Sequence, residues 1–172
     1  MVSSLLDLSR IEYGELKLNF QKIDLNEFID NFIISISNLS KKKNIKIIYD
    51  PKHNGYVNAD PQAIERIMNN LIDNAIKYSN KGSNIIISTL NESDEYIRVR
   101  VEDSGSGISD EDQDYIFGRF YRTASARASD NQGSGLGLAI VKHLVNSLNG
   151  EVGIDSKPSK GSIFWFSLPK MP

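Results

Sequence analysis

The chain has 172 residues, 40% of them hydrophobic and 9% aromatic, which suits about one domain with a core of its own. It has no cysteine, so a disulfide scaffold, a thiolate zinc site, an iron–sulfur centre and a cysteine nucleophile are all excluded. With 20 basic and 22 acidic residues the net charge is −2, which gives no general basic surface for nucleic acid.

Taken in chain order, residues 1–13 place Leu5, Leu8 and Ile11 at helical spacing, and Gly14 suits a stop. This short helix opens without a cap and has nothing of its own length to pack on, as in a piece cut from a longer protein. Asp24 with Glu27 reads as a capping box ahead of Leu25, Phe28, Ile29, Phe32, Ile33 and Ile36, the apolar stripe of a second helix. Lys41-Lys42-Lys43 falls in its last turn, where cations suit the dipole. Ile45, Ile47 and Tyr49 alternate as a strand does, and Asp50-Pro51 through Asn54-Gly55 reads as a turn. Asp60-Pro61 supplies an N-cap and a proline at the first position of the next helix. Strands are expected over 83–90 and 96–103, and a further helix from Ser109 with acids in its first turn. Residues 123–134 read as a mobile loop, 136–149 as a helix stopped by Gly150, and 152–155 and 162–168 as two closing strands. No run approaches the ~20 apolar residues that span a bilayer. Helices mixed with antiparallel hairpins imply an α+β fold, a two-layer α/β sandwich with helices on one face of a mixed, mostly antiparallel sheet.

Three features point to chemistry. The helix after Asp60 has a broad apolar face of Ile64, Met68, Leu71, Ile72, Ala75 and Ile76, and its other face carries Arg66, Asn70, Asp73, Asn74 and Lys77. Two asparagines four residues apart are poor helix formers. They make either an ordinary wet face or one that meets a polyanion, with Asn74 offering an amide oxygen to magnesium. In the strand Tyr96–Asp103, parity puts Asp103 on the apolar face with Ile97, Val99 and Val101. A carboxylate there needs donors: either the N–H groups of the following Ser104-Gly105-Ser106-Gly107 turn or a ligand amine such as that of adenine. Third, Gly133-Ser134-Gly135-Leu136-Gly137 runs directly into a helix, as a flexible loop end or as a cradle for phosphate at free N–H groups. Together the three describe a nucleotide pocket with a lid.

Five segments follow one another in a fixed order: Asn70–Ser79, Asp103–Ile108, Ile116–Arg122, Gly133–Val141 and Lys160–Ser162. They resemble the N box, first glycine box, F box, second glycine box and a degenerate third glycine box of the catalytic ATP-binding domain of bacterial sensor histidine kinases. That domain belongs with the gyrase, Hsp90 and MutL ATPases and has the Bergerat-type fold. The resemblance covers roughly residues 20–170. It implies a boundary near residue 16, with 1–16 as the end of a dimerisation and phosphoacceptor helix plus linker and 17–172 as the catalytic domain. It implies ATP and Mg2+ as ligands, with Asn74 on the metal and Asn70 beside the phosphates. Lys77 would contact phosphate, Tyr78 would pack on adenine, and Asp103 would take the adenine amine. Gly105, Gly107 and Ile108 would shape that wall. Gly133, Ser134, Gly135, Leu136, Gly137 and Leu138 would hold the phosphates under the lid, and Arg119 and Arg122 would meet the γ-phosphate or dock on the phosphoacceptor helices.

The implied partners are the dimerisation/phosphoacceptor domain and a response regulator receiver domain, in a homodimeric, cytoplasmic or membrane-anchored whole protein of which this fragment alone would be a monomer. Gly118 stands where the F box usually has an acid, and Ser162 where Thr is common. No His-Glu-x-x-x-Pro phosphoacceptor motif occurs, and His53 and His143 read as ordinary surface or packing residues. The related ATPases have a water-activating glutamate where this chain has Asn70, an amide that takes no proton, so slow ATP hydrolysis is expected. An anti-sigma-type serine kinase and a non-catalytic nucleotide-binding module are the rival readings.

Overall fold

A computed structural model describes residues 17–41, 43–128 and 133–171. The expected helix over 1–13 and the boundary at residue 16 lie outside the described residues. Helix α1 (Leu25–Lys41) is followed by strands β2 (Lys46–Lys52) and β3 (Tyr56–Ala59), and strand β1 (Gln21–Asp24) precedes it. Helix α2 (Pro61–Tyr78) leads to β4 (Asn84–Asn91) and β5 (Tyr96–Asp103). Short α3 (Asp110–Gln113) and α4 (Ala124–Ala128) precede α5 (Gly137–Ser147), and β6 (Val152–Ser156) and β7 (Ser162–Met171) close the chain.

The strands form one sheet in the order β1-β3-β7-β5-β4-β2, with β6 also on β7. Only β2 and β4 run parallel; every other pair is antiparallel. β5 takes one edge of β7 over its whole length. The other edge is shared, by β6 at Ser162–Phe166 and by β3 at Lys170–Met171. Alternation fixes the register. Ile85, Ile87, Ile97, Val99, Val101, Phe164, Phe166 and Leu168 are buried under the helices, while Arg98, Arg100 and Trp165 lie on the open face. There the Arg98 guanidinium stacks 3.9 Å from the Trp165 ring. The helices thus cover one face of a mixed sheet, the two-layer arrangement the sequence implies.

The expected caps form. Asp24 Oδ1 accepts from the N–H groups of Asn26 and Glu27 at 3.0 and 3.2 Å. Asp60 Oδ1 accepts from Gln62 and Ala63 at 2.8 and 3.0 Å, and its Oδ2 accepts from Asn19 at 2.6 Å. One buried carboxylate therefore starts α2 and fastens the entering chain. On α2, Ile64, Met68, Leu71, Ile72 and Ala75 are buried, with Ile67 and Ala63 beside them.

Two expectations need correction, and two strands were not expected. Asp50 and Pro51 continue β2 and are not a turn; β2 is the sheet edge, where a proline without an N–H costs no ladder bond. Strands β1 and β3, of four residues each, carry too few apolar positions to show a period. The expected helix from Ser109 does form, with Ser109 as N-cap and acids in its first turn, and it is one turn long with none of its residues buried. Residues 124–128 are helical rather than loop, with Ala126 buried.

Candidate active site

The described part of the site gathers around the C-terminal ends of α2 and β5. Asp103 ends β5 on the core side, 7% exposed, and its Oδ1 accepts from the Gly105 N–H at 2.8 Å. Burial pushes its pKa above the usual carboxylate value, against the lowering effect of the backbone N–H groups of Gly105 and Ser162. The glycine turn thus meets part of the need of this carboxylate, as one of the two readings of the sequence had it. Gly105 has to be glycine for closeness: a Cβ would lie 2.7 Å from the Tyr78 carbonyl oxygen and 2.8 Å from Asp103 Oδ1. Gly107 has φ +69 and a Cβ there would run into the Lys157 carbonyl, so the turn is bound to the β6–β7 connection.

Next to this acid opens a cavity of about 290 Å³, near the lower end of the ~300–1,000 Å³ typical of small-molecule sites. Ile108, Ile116, Leu138 and Phe164 make apolar wall, and Asp103 stands among them. Asn74, Lys77 and Tyr78 enter from the last turns of α2, with Lys77 Nζ 5.3 Å from the Tyr78 ring. Burial first, and then the nearby Arg122 guanidinium, push the Lys77 pKa below its ordinary value. Two cations drawn together in this way favour an anion between them.

Gly133, Ser134, Gly135 and Gly137 line the same cavity. A Cβ on Gly133 would lie 2.8 Å from Lys77 Nζ, and a Cβ on Gly137 the same distance from Asn70 Oδ1. No side chain caps the start of α5, unlike α2 and α3, so its first N–H groups stay available to a ligand.

Twelve of the sequence-predicted residues line the cavity: Asn74, Lys77, Tyr78, Asp103, Gly107, Ile108, Arg122, Gly133, Ser134, Gly135, Gly137 and Leu138. Four do not. Asn70 stands behind the start of α5, its Nδ2 donating to the Arg66 carbonyl at 2.8 Å. Gly105 lies behind Asp103. Leu136 is 1% exposed in the core, and its N–H faces Ser134 Oγ at 3.3 Å. Arg119 faces a separate cavity beside Lys142, His143 and Asn146 of α5. Sequence reasoning missed Asp73, Ser106, Ile116, Tyr121, Thr123, Ser125, Ala126, Ser162 and Phe164 as lining residues. Tyr121 donates to Asp112 Oδ1 at 2.6 Å, a contact with no periodic signature. Ser162 could have been found from strand pairing, since it sits opposite Asp103.

The family described as histidine kinase-, DNA gyrase B-, and HSP90-like ATPase matches residues 59–172. Among curated proteins, the sensor histidine kinase WalK of Bacillus subtilis (strain 168) is 34% identical over 171 residues, covering 98% of this chain and 28% of its own. The sensor-like histidine kinase SenX3 of Mycobacterium tuberculosis (strain H37Rv) is 36% identical over 99% of this chain and 42% of its own. The chain therefore spans less than half the length of these relatives. Among solved structures, full-length ShkA in complex with AMPPNP shares the fold with a TM-score of 0.87 at 24% identity, over 99% of this chain and 35% of that one. The catalytic domain of the histidine kinase ThkA has a TM-score of 0.77 at 27% identity, over 90% of this chain and all of that one. With the family match running through α2, the Asp103 turn and the glycine-led helix α5, this chain belongs to the histidine kinase-, DNA gyrase B- and HSP90-like ATPases.

Proposed function

We propose that the chain is the ATP-binding catalytic part of a two-component sensor histidine kinase, which passes the γ-phosphoryl group of ATP to a histidine on a dimerisation domain. The observation that carries this reading is the lining of one cavity. A buried acceptor, Asp103, lines it together with the apolar Ile108, Ile116 and Phe164, and so do Lys77, Arg122 and the glycines that lead into the uncapped α5. The acceptor and apolar wall suit adenine, and the cations and free helix start suit a triphosphate. Phosphoryl transfer asks for positioning and charge neutralisation more than for covalent help, and these groups supply both.

The residues present fit a magnesium ion only in part. Asn74 offers one amide oxygen at the cavity wall, and the described residues hold no group of three or more acids or histidines placed to bind a metal, so the protein itself would hold the ion mainly through Asn74. An ion held there would neutralise phosphate charge. We assign Asn74 that ligand role, Lys77 and Arg122 the phosphates, Tyr78 a face of the adenine, and Asp103 its amine. Arg119, facing away with Lys142 and His143, is assigned to docking on the phosphoacceptor helices.

The partners follow from the reading: the dimerisation domain first, then the receiver domain of a response regulator, as the response regulator protein TrrA is complexed with ThkA in a related structure. We place the chain in the cytoplasm with its ATP, the whole protein being a homodimer. No helix of the described residues is long and apolar enough to cross a membrane. The test mixes this chain with a separately made dimerisation domain and labelled ATP. The reading expects label on that domain that is lost in acid and kept in alkali. Acid-stable label would point to a serine kinase instead, and no label at all to a non-catalytic module.

A further inference from the structure

Lys43 does something the sequence does not suggest. The lysine run reads as complementing the end of α1, but the Lys43 ammonium reaches another helix. It donates to the carbonyls of Ile76 and Lys77, at 2.9 and 2.8 Å, across more than thirty residues of chain. These are last-turn carbonyls of α2. A cation there meets both carbonyl oxygens and the negative end of the dipole.

The place matters because of what this helix end carries. Lys77 and Tyr78 line the cavity from it, and the Tyr78 carbonyl lies against Gly105, whose N–H holds Asp103. A shift of the last turn of α2 therefore moves the cationic lining of the cavity and its acid wall together. The clamp is itself anchored. The Lys43 carbonyl accepts from the Gly82 N–H at 3.2 Å, and Ser83 accepts from Lys46 N–H at 3.2 Å, which stitches the α1–β2 turn to the α2–β4 loop.

We propose that Lys43 is a positioning residue for nucleotide binding: from behind α2 it locks the helix end that sets Lys77, Tyr78 and the Gly105–Asp103 wall. The inference rests on the reading that this cavity takes a nucleotide. It is tested by titrating ATP with magnesium into the full chain, in the cold and well below melting, with Lys43→Met, Lys43→Arg and Ile29→Val. Ile29 is fully buried in the core and appears in neither the site nor the clamp, so Ile29→Val gives a purely structural loss of stability.

Lys43→Met is expected to raise the dissociation constant about tenfold, since two charge-assisted hydrogen bonds go at once. Lys43→Arg should recover most of that, and Ile29→Val should bind as wild type despite melting earlier. A rise below about threefold overturns the proposal on the same scale, as does an arginine variant no better than methionine, or an equal loss in Ile29→Val. If Lys43→Met does not fold, Lys43→Gln is titrated against the same limits. Wild type that binds no nucleotide would defeat the underlying reading; wild type that binds while Lys43→Met matches it would defeat the clamp alone.

Discussion

Asp103 is held in the folded chain at a cost. Burial raises its pKa, so its ionised form is disfavoured relative to the unfolded chain, and that penalty is present at neutral pH and relieved as pH falls through the raised value. Asp103→Asn should therefore melt no lower than wild type, and higher at neutral pH, as differential scanning calorimetry would show, while ligand binding suffers. An acid retained against stability is what a recognition group looks like. Asn70 illustrates the opposite case. Its amide takes no proton and donates instead to the Arg66 carbonyl, so the site has no base to activate water at that place. Steady-state hydrolysis of ATP by the isolated chain, followed as phosphate release, should be far slower than the several turnovers per second that would contradict this. The polarity of Asn70, Asn74 and Lys77 was legible from the wheel of one helix. The direction Asn70 points was not, because it is decided by where α5 begins, on a segment more than sixty residues away.

Helix α2 is the element on which the site depends, and its beginning is as informative as its end. Asp60 accepts three N–H groups while 6% exposed, two from the first turn and one from Asn19. Asp60→Ala removes the cap and strands the Asn19 N–H, for a loss of about 2–3 kcal/mol in urea denaturation. Asp60→Asn should recover part of it, since an amide oxygen still caps. The Asp-Pro start and the apolar face were both readable, because a long helix repeats its period five times over. β1 and β3 were not readable. Four residues hold one or two buried positions, and these strands exist only because β7 runs on past β5's neighbours to offer Lys170 and Met171 as partners. The same reasoning explains Pro51: whether a proline ends a strand depends on whether the strand is an edge, which is a property of the sheet and not of the segment.

At the scale of the whole molecule, the sheet carries the acid wall, helix α2 carries Lys77 and the segment before α4 carries Arg122, and all three line one cavity. The sheet's closing strand β7 brings Ser162 opposite Asp103 and Phe164 into the cavity wall, from a part of the chain some sixty residues later. That long-range pairing is why Ser162 and Phe164 escaped a reading made motif by motif, while Ile108 and Leu138 of the same wall did not. The glycines before α5 were legible as a cluster, yet their work is collective: Gly133 makes room at Lys77, Gly137 at Asn70, and Gly135, with φ +70, lies against the Phe120 backbone. In the proposed function, one pocket takes the adenine at Asp103 and the phosphates at Lys77 and α5. Calorimetric titration of ATP with magnesium, for wild type and Asp103→Asn across a pH series, tests this most directly. Wild type should bind, with affinity fading on acidification from above the ordinary carboxylate pKa of about 4, and Asp103→Asn should bind about ten- to a hundredfold more weakly with that pH dependence gone. Equal affinity in the two proteins, or an acid limb that survives the substitution, would contradict it.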